Sequence, residues 1–195
     1  MNLQELKQNA LDRHIPIIMD ETLEVIEKIL KSQDVNRLLE IGTAVGYSAA
    51  CFAKNINGVI DTIELNQERA VEAISNITAL GLENKVNIIN GDALDVLPTI
   101  TYKYDIIFID ASKSKYPKFL DYSLELLNDN GIIIADNVLY KGYVLSDYNK
   151  HKQRTAVRHL REFIKKCKEN PNIDLNLLEV GDGLAVIRKV TPRDV

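Results

Sequence analysis

Two acids and a carboxamide stand at the ends of aliphatic runs in a way that suits a hard cation. Asp110 closes YDIIFID (104–110), and Asp136 with Asn137 closes GIIIAD (131–136). If these runs are neighbouring parallel strands, their carboxyl ends meet at one sheet edge and three oxygen-bearing side chains converge. Such a donor set suits Mg2+, which takes oxygen ligands at about 2.0–2.1 Å, and other divalent cations of similar hardness. No His or Cys lies near them in sequence, which argues against zinc. Taken singly, each acid has a plainer explanation, because acids often follow strands and cap what comes next. Lys113 follows in DASKSKYPK. Beside a cation, its amine has an electrostatic reason to take a hydroxyl proton or to orient the oxygen. A solvated loop lysine among Lys115 and Lys118 is the plainer alternative.

A second set of residues suits a nucleoside. In LEIGTAVGYS, Gly42 and Gly46 bracket a turn from strand to helix, where missing side chains let a ligand approach the backbone. The spacing is G-x-x-x-G, not the G-x-G-x-x-G that seats a pyrophosphate, and strand-to-helix turns need glycine for other reasons too. Glu64 ends the next run, where an acid can accept both hydroxyls of a ribose; a solvated strand-end acid is the alternative. Asp92, in GDAL, can bond an adenine or cap the following helix. Without a diphosphate loop, the ligand expected is a nucleoside lacking phosphates, and S-adenosylmethionine fits that description. A nicotinamide dehydrogenase is disfavoured by the missing glycine motif.

These residues need a frame to bring them together. Up to Lys31 the pattern is helical, and from Asn36 short aliphatic runs (37–41, 58–64, 85–90, 104–110, 131–136) alternate with amphipathic segments (48–54, 67–80, 93–100, 118–127). Continuous aliphatic strands joined by helices imply a parallel sheet covered on both faces. The expected fold is therefore a doubly wound α/β sheet of five parallel strands with helices on both faces. After a long amphipathic segment (154–168), DLNLLEV and GLAVIRK are joined at Gly181-Asp182-Gly183, so a C-terminal antiparallel hairpin closes one edge. No linker or repeat interrupts the chain, which reads as one domain over 1–195, with N-terminal helices over 1–31 and the α/β core over 36–189.

Composition limits the alternatives. A chain of 195 residues, 46% hydrophobic and 27% charged, has a globular composition. Its net charge of −4 advertises no global affinity for nucleic acid or membrane. Cys51 and Cys167 make no disulfide framework. No apolar run has the length of a signal peptide or a membrane span, so a soluble cytoplasmic protein with no membrane partner is expected.

LEIGTAVGYS, TIELN, GDAL, FIDASK, ADNVLYKG and VGDGLAV occur in the order in which the cation-dependent O-methyltransferases carry them. From about His14 to Lys189 the chain resembles that family, the group that includes catechol O-methyltransferase. Through HIPI, FIDASKSKY and DNVLYKGYV it looks most like the bacterial tRNA 5-hydroxyuridine methyltransferases within the group. The resemblance implies a class I, Rossmann-like methyltransferase domain that uses S-adenosylmethionine and Mg2+. It implies that Ile18 (where the family's pattern leads one to expect methionine), Glu40, Gly42, Gly46, Ser48, Glu64, Asp92, Ala93 and Asp110 line the cofactor. It implies Asp110, Asp136 and Asn137 as cation ligands, Lys113 and Asp110 at the reacting centre, and a homodimer.

A cation that chelates two adjacent acceptor oxygens needs a substrate with vicinal oxygens, one of them an acidic hydroxyl. A catechol-like phenol has these, and so does 5-hydroxyuridine at the wobble position of a tRNA anticodon loop, whose methylation gives 5-methoxyuridine. Charge placement bears on the choice. From Lys141 to Lys168 there are nine Lys or Arg against two acids, Asp147 and Glu162. Lys141, Lys152, Arg154, Arg158 and Arg161 are candidate RNA contacts, with Lys165 and Lys168 continuing the helical stripe, although a solvated helix face explains such a stripe equally simply. Tyr116, Tyr140 and Tyr143 are candidates to stack a splayed base, or to pack. A cofactor-binding RNA module without catalysis is a third reading, opposed by the intact Asp110, Lys113, Asp136 and Asn137.

Overall fold

The computed structural model describes residues 1–147 and 153–190. They fall into two compact units, Met1–Ile100 and Thr101–Val195.

In the first unit, helices α1 (Leu3–Asp12) and α2 (Asp20–Lys31) precede β1 (Arg37–Ile41), α3 (Tyr47–Ala53), β2 (Val59–Glu64), α4 (Gln67–Ala79), β3 (Val86–Asn90) and α5 (Ala93–Val96). Asn2 and Glu5 start α1 with a reciprocal capping box, each side chain accepting the other's backbone N–H at 2.9 Å. The strands pair in parallel, Ile41 opposite Ile63 and Glu64 opposite Asn90, so Glu64 comes at the carboxyl end of the β2 register. Leu38, Leu39, Ile60 and Thr62 are fully buried, and α3 (YSAACFA) is buried at every position but Ser48, as its uncharged, mostly apolar residues allow. The helix expected over 93–100 stops at Val96 and tightens into a 3-10 turn, Leu97–Thr99. Pro98 has no N–H to continue the α ladder.

In the second unit, β4 (Tyr104–Ile109), α6 (Tyr116–Leu126), β5 (Leu127–Ala135), α7 (Arg154–Glu169), β6 (Ile173–Leu178) and β7 (Leu184–Lys189) follow one another. β4 and β5 are parallel; β7 runs antiparallel to β5 and β6 antiparallel to β7, as the tight Gly-Asp-Gly connection requires. β5 begins earlier than its aliphatic run, directly after α6. Tyr104 faces Leu127 and Ile106 faces Ile132, so the polar residues 128–130 bulge out of the β4 ladder. Helix α7 buries Val157, Leu160, Phe163, Ile164 and Cys167 and exposes Arg154, Arg158, Arg161, Lys165 and Lys168, the two faces its periodicity predicts. Among the described residues, no helix is long and apolar enough to cross a membrane.

Candidate functional site

The glycine turn of the first unit is a run of left-handed backbone. Gly42, Ala44 and Gly46 have φ of 105°, 49° and 83°. Holding alanine there costs about 1–2 kcal/mol, so the turn needs external support. Glu64 supplies it: one carboxylate oxygen accepts from Ala44 N at 2.8 Å and the other from Asn66 N at 2.8 Å. Asn76 on α4 adds a hydrogen bond from Nδ2 to the carbonyl of Val45 at 3.0 Å. A carboxylate has about four acceptor positions, so two remain on Glu64 for a pair of ribose hydroxyls. The residues present thus fit a nucleoside.

Below the turn lies a buried polar relay. Glu40 is 0% exposed, and its two oxygens accept from Ser48 Oγ and from Thr62 Oγ1, which is 2.6 Å from Thr43 Oγ1. Full satisfaction explains how β1 tolerates an acid in its interior. It also fixes Ser48 in the first turn of α3. Asp92 caps α5, accepting from Leu94 N at 2.9 Å, which is one of the two roles its position allowed. Ala93 and Ile18 are both buried.

In the second unit, the oxygen cluster gathers around a lysine. Lys113 Nζ donates to Asp110 Oδ1 at 2.8 Å, to Asn137 Oδ1 at 2.9 Å and to the hydroxyl of Tyr116 at 2.8 Å. Asp136 is 2% exposed and its Oδ1 accepts from Asn137 N at 2.6 Å. Burial first, then the charge of Asp110, pushes the Asp136 carboxyl up to about 7. Asn137 has φ of 56°, a conformation asparagine adopts more readily than most residues, and this aims its amide at Lys113. Among the described residues no point gathers three His, Cys, Asp or Glu side chains, so the candidate centre is two carboxylates and one amide oxygen. These are hard donors, and a dication would offset the burial and the Asp110 charge that together raise Asp136. The residues therefore fit Mg2+ better than a softer metal.

Two residues are held by contacts that their spacing left open: Tyr116 takes the packing alternative and Arg161 turns to the chain's own carbonyls. Tyr116 cannot stack a base: it is 0% exposed, packs edge-on against Phe163 with centroids 5.6 Å apart, and its hydroxyl also donates to the main-chain carbonyl of Asp136 at 2.9 Å. Its part in holding Lys113 was missed; the K-x-x-Y spacing, one helical turn, was the available signal. Arg161 is exposed on α7, yet its guanidinium donates to loop carbonyls at Tyr143, Val144 and Ser146. Arg154, Arg158 and Lys141 are exposed, whereas Lys152 lies outside the described residues. Tyr140 and Tyr143 are half-buried and pair edge-to-face at 6.0 Å.

Strands alternating with helices, acids at strand ends and a C-terminal hairpin define an α/β protein of the Rossmann-like methyltransferase class. A crystal structure of the O-methyltransferase from Bacillus cereus in complex with SAH overlays with a TM-score of 0.87 at 26% identity, covering 96% of this chain and 90% of that one. The family model for O-methyltransferases matches residues 1–190, and the chain belongs to that family. The catechol O-methyltransferase of Niastella koreensis is 32% identical over 175 residues, 84% of this chain and 76% of that protein. Caffeoyl-CoA O-methyltransferase 2 of Populus trichocarpa is 31% identical over 179 residues, 86% of this chain and 72% of its own length. The protein is therefore an enzyme of the O-methyltransferase kind.

Proposed function

We propose that the protein transfers a methyl group from S-adenosylmethionine to one of two vicinal oxygens on an acceptor, assisted by Mg2+, and that the acceptor is 5-hydroxyuridine at the wobble position of tRNA. The observation that carries the chemistry is the gathering of Asp110, Asn137 and Lys113 within 2.9 Å contacts, beside the buried Asp136. When bound, the cation lends Lewis acidity to the acceptor's two oxygens and the sulfonium provides the methyl group. Asp110, Asp136 and Asn137 hold the cation. Lys113 stands at the reacting oxygen, its charge stabilising the oxyanion left once the hydroxyl proton has passed to solvent water. Glu64 holds the ribose, Asp92 and Ala93 border the adenine, and Ile18, Glu40, Gly42, Gly46, Ser48 and Asp110 complete the donor's lining. The acceptor oxygen attacks the methyl carbon as the carbon–sulfur bond breaks, an in-line displacement in which placement supplies much of the acceleration.

The exposed Arg154, Arg158, Lys165 and Lys168 support a nucleic-acid acceptor, since they form a cationic face along which a phosphate backbone can track. A second reading keeps the chemistry and replaces the RNA by a small catechol-like phenol; the names of the relatives favour it. Both are tested by incubating the protein with S-adenosylmethionine and Mg2+ and either tRNA bearing 5-hydroxyuridine or a catechol. Formation of 5-methoxyuridine, seen by mass spectrometry of the nucleosides, is the expected result. Methylation of the catechol with none of the tRNA would transfer the assignment to the second reading. Turnover undiminished by a chelator would remove the cation from the proposal. A single catalytic domain, a homodimer and a cytoplasmic setting accompany this reading; light scattering tests the dimer.

A further inference from the structure

After β5 the chain from Asn137 to Ser146 folds into a tight strap. Asn137, Tyr140, Lys141 and Gly142 all have left-handed φ, of 56°, 44°, 58° and 75°. For tyrosine and lysine this conformation is strained, so the strap persists only where its surroundings fix it. Two sets of contacts do so. At one foot, Val138 N donates to Gly183 O at 3.0 Å, and Leu139 N and Tyr140 N donate to Asp182 O at 3.0 and 3.1 Å. Gly183 is packed so closely that a Cβ there would fall 2.3 Å from Leu139 Cγ. At the other foot stands Arg161 of α7. Its Nε donates to Val144 O at 3.1 Å, and its Nη2 donates to Tyr143 O at 3.1 Å and to Ser146 O. Between the feet, Tyr143 N returns to Tyr140 O at 3.1 Å and Val144 N to Leu139 O at 3.3 Å, and the Tyr140 and Tyr143 rings meet at 79°.

We propose that Arg161 is a positioning residue that clasps this strap, and that the strap holds the Tyr140–Tyr143 pair as a rigid aromatic rim selecting a planar acceptor ring beside Asn137. The selection of acceptor rests on the functional reading above; the clasp does not. Three N–H donors of one planar guanidinium meet the carbonyls of Tyr143, Val144 and Ser146, a geometry lysine cannot reproduce because its ammonium is a single point of charge. With Nε and Nη2 spent on the strap, a phosphate contact at Arg161 would have only Nη1 left and could not be bidentate through the Nε–Nη2 edge. That distinguishes Arg161 from Arg154 and Arg158, which are exposed on the same helix face.

The discriminating variants are Arg161→Lys and Arg161→Gln, with Arg158→Gln as the control. In hydrogen exchange on protein without acceptor or added metal, both Arg161 variants should speed exchange at the amides of Tyr143, Val144 and Leu145 by roughly tenfold, while Arg158→Gln leaves them unchanged. Unchanged exchange in Arg161→Lys would overturn the clasp, whatever reaction the enzyme performs. In turnover with a small vicinal-oxygen acceptor, both Arg161 variants should raise the acceptor KM by roughly tenfold, with kcat and calorimetric S-adenosylmethionine affinity held. A phosphate-binding role predicts the opposite pattern: Lys rescues, the small acceptor's KM is unmoved and only the tRNA KM rises. That pattern would overturn the proposed rim. Should wild-type protein methylate neither acceptor, the failure belongs to the functional reading, and the exchange data still decide the clasp.

Discussion

The ammonium of Lys113 and the hydroxyl of Tyr116 lie 2.8 Å apart, one helical turn along the chain, and that hydroxyl is anchored in turn to the main-chain carbonyl of Asp136. The phenol is fully buried, and burial followed by the charges of Asp110 and Asp136 holds its ionisation well above the ordinary tyrosine range. It therefore serves as a neutral post that accepts from the lysine and donates to the strand end. Tyr116→Phe keeps the ring against Phe163 and removes only the post. Its expected result is a fall in kcat of roughly tenfold with S-adenosylmethionine affinity unchanged, and a loss of stability of about 1 kcal/mol. Steady-state kinetics, calorimetry and urea unfolding measure the three quantities, and an unchanged kcat would detach Tyr116 from the chemistry.

Asp136 gives the metal-free protein a pH dependence whose sign follows from its direction of shift. Its carboxyl is raised to about 7 by burial and by Asp110, whereas in the unfolded chain it titrates in the ordinary carboxylate range. Between about pH 4 and pH 7 the native state holds a proton that the unfolded state has released, so stability falls as pH rises through that window. The full penalty, at most about 4 kcal/mol, is reached above pH 7. In the presence of a chelator, unfolding midpoints should decline from pH 5 to pH 8. Asp136→Asn should flatten that decline and stabilise the protein at pH 8 while abolishing divalent-cation binding in a Mn2+ titration. A midpoint in the variant that still falls with pH would assign the effect elsewhere.

Glu64 joins the glycine turn to the end of β2 through two backbone N–H groups. Glutamine in its place presents an amide NH2 to one of those donors, leaving two donors facing each other. Glu64→Gln should weaken S-adenosylmethionine binding by roughly 10–100-fold and lower thermal stability modestly. Calorimetry would show it; wild-type affinity in the variant would exclude Glu64 from the donor site.

Two glycines at left-handed φ should differ in what alanine costs. At Gly46, φ is 83°, but an added Cβ would meet Ala73 and Ile77 at an ordinary 3.5 Å, so backbone strain of about 1–2 kcal/mol is the whole penalty. At Gly183, φ is 90° and the Cβ would strike Leu139 at 2.3 Å, so roughly 1–3 kcal/mol of overpacking is added. Urea denaturation should rank Gly183→Ala as the less stable; the reverse order would mean that the strap yields more easily than its contacts imply.

Arg154 and Arg158 are exposed on α7. Reversing both to glutamate should raise the tRNA KM by an order of magnitude or more and flatten its salt dependence, with turnover of a small catechol unaffected. Equal effects on both acceptors would point to damage to the fold, not loss of a phosphate track.

Much of this protein was legible in the chain as written. Aliphatic runs of strand length separated by amphipathic stretches of helix length specify the elements, because burial on two faces or one face leaves a period in the residues themselves. The same logic put Asp110, Glu64 and Asp136 at strand ends and divided α7 into Val157, Leu160, Ile164 and Cys167 on one side and arginines on the other. What the sequence could not decide was where a polar group's hydrogen bonds go once the chain is folded. Arg154 and Arg161 share a residue type and a helix face, yet Arg161 grips carbonyls 15 to 18 residues earlier in the chain, a role its spacing does not announce. Tyr116 has the composition of a stacking residue and became a buried post, and Asp92 had two open roles until its bond to Leu94 N established the cap. Periodicity records which side of an element faces the core; which partner satisfies each donor depends on residues distant in sequence, and that is set only by the tertiary structure.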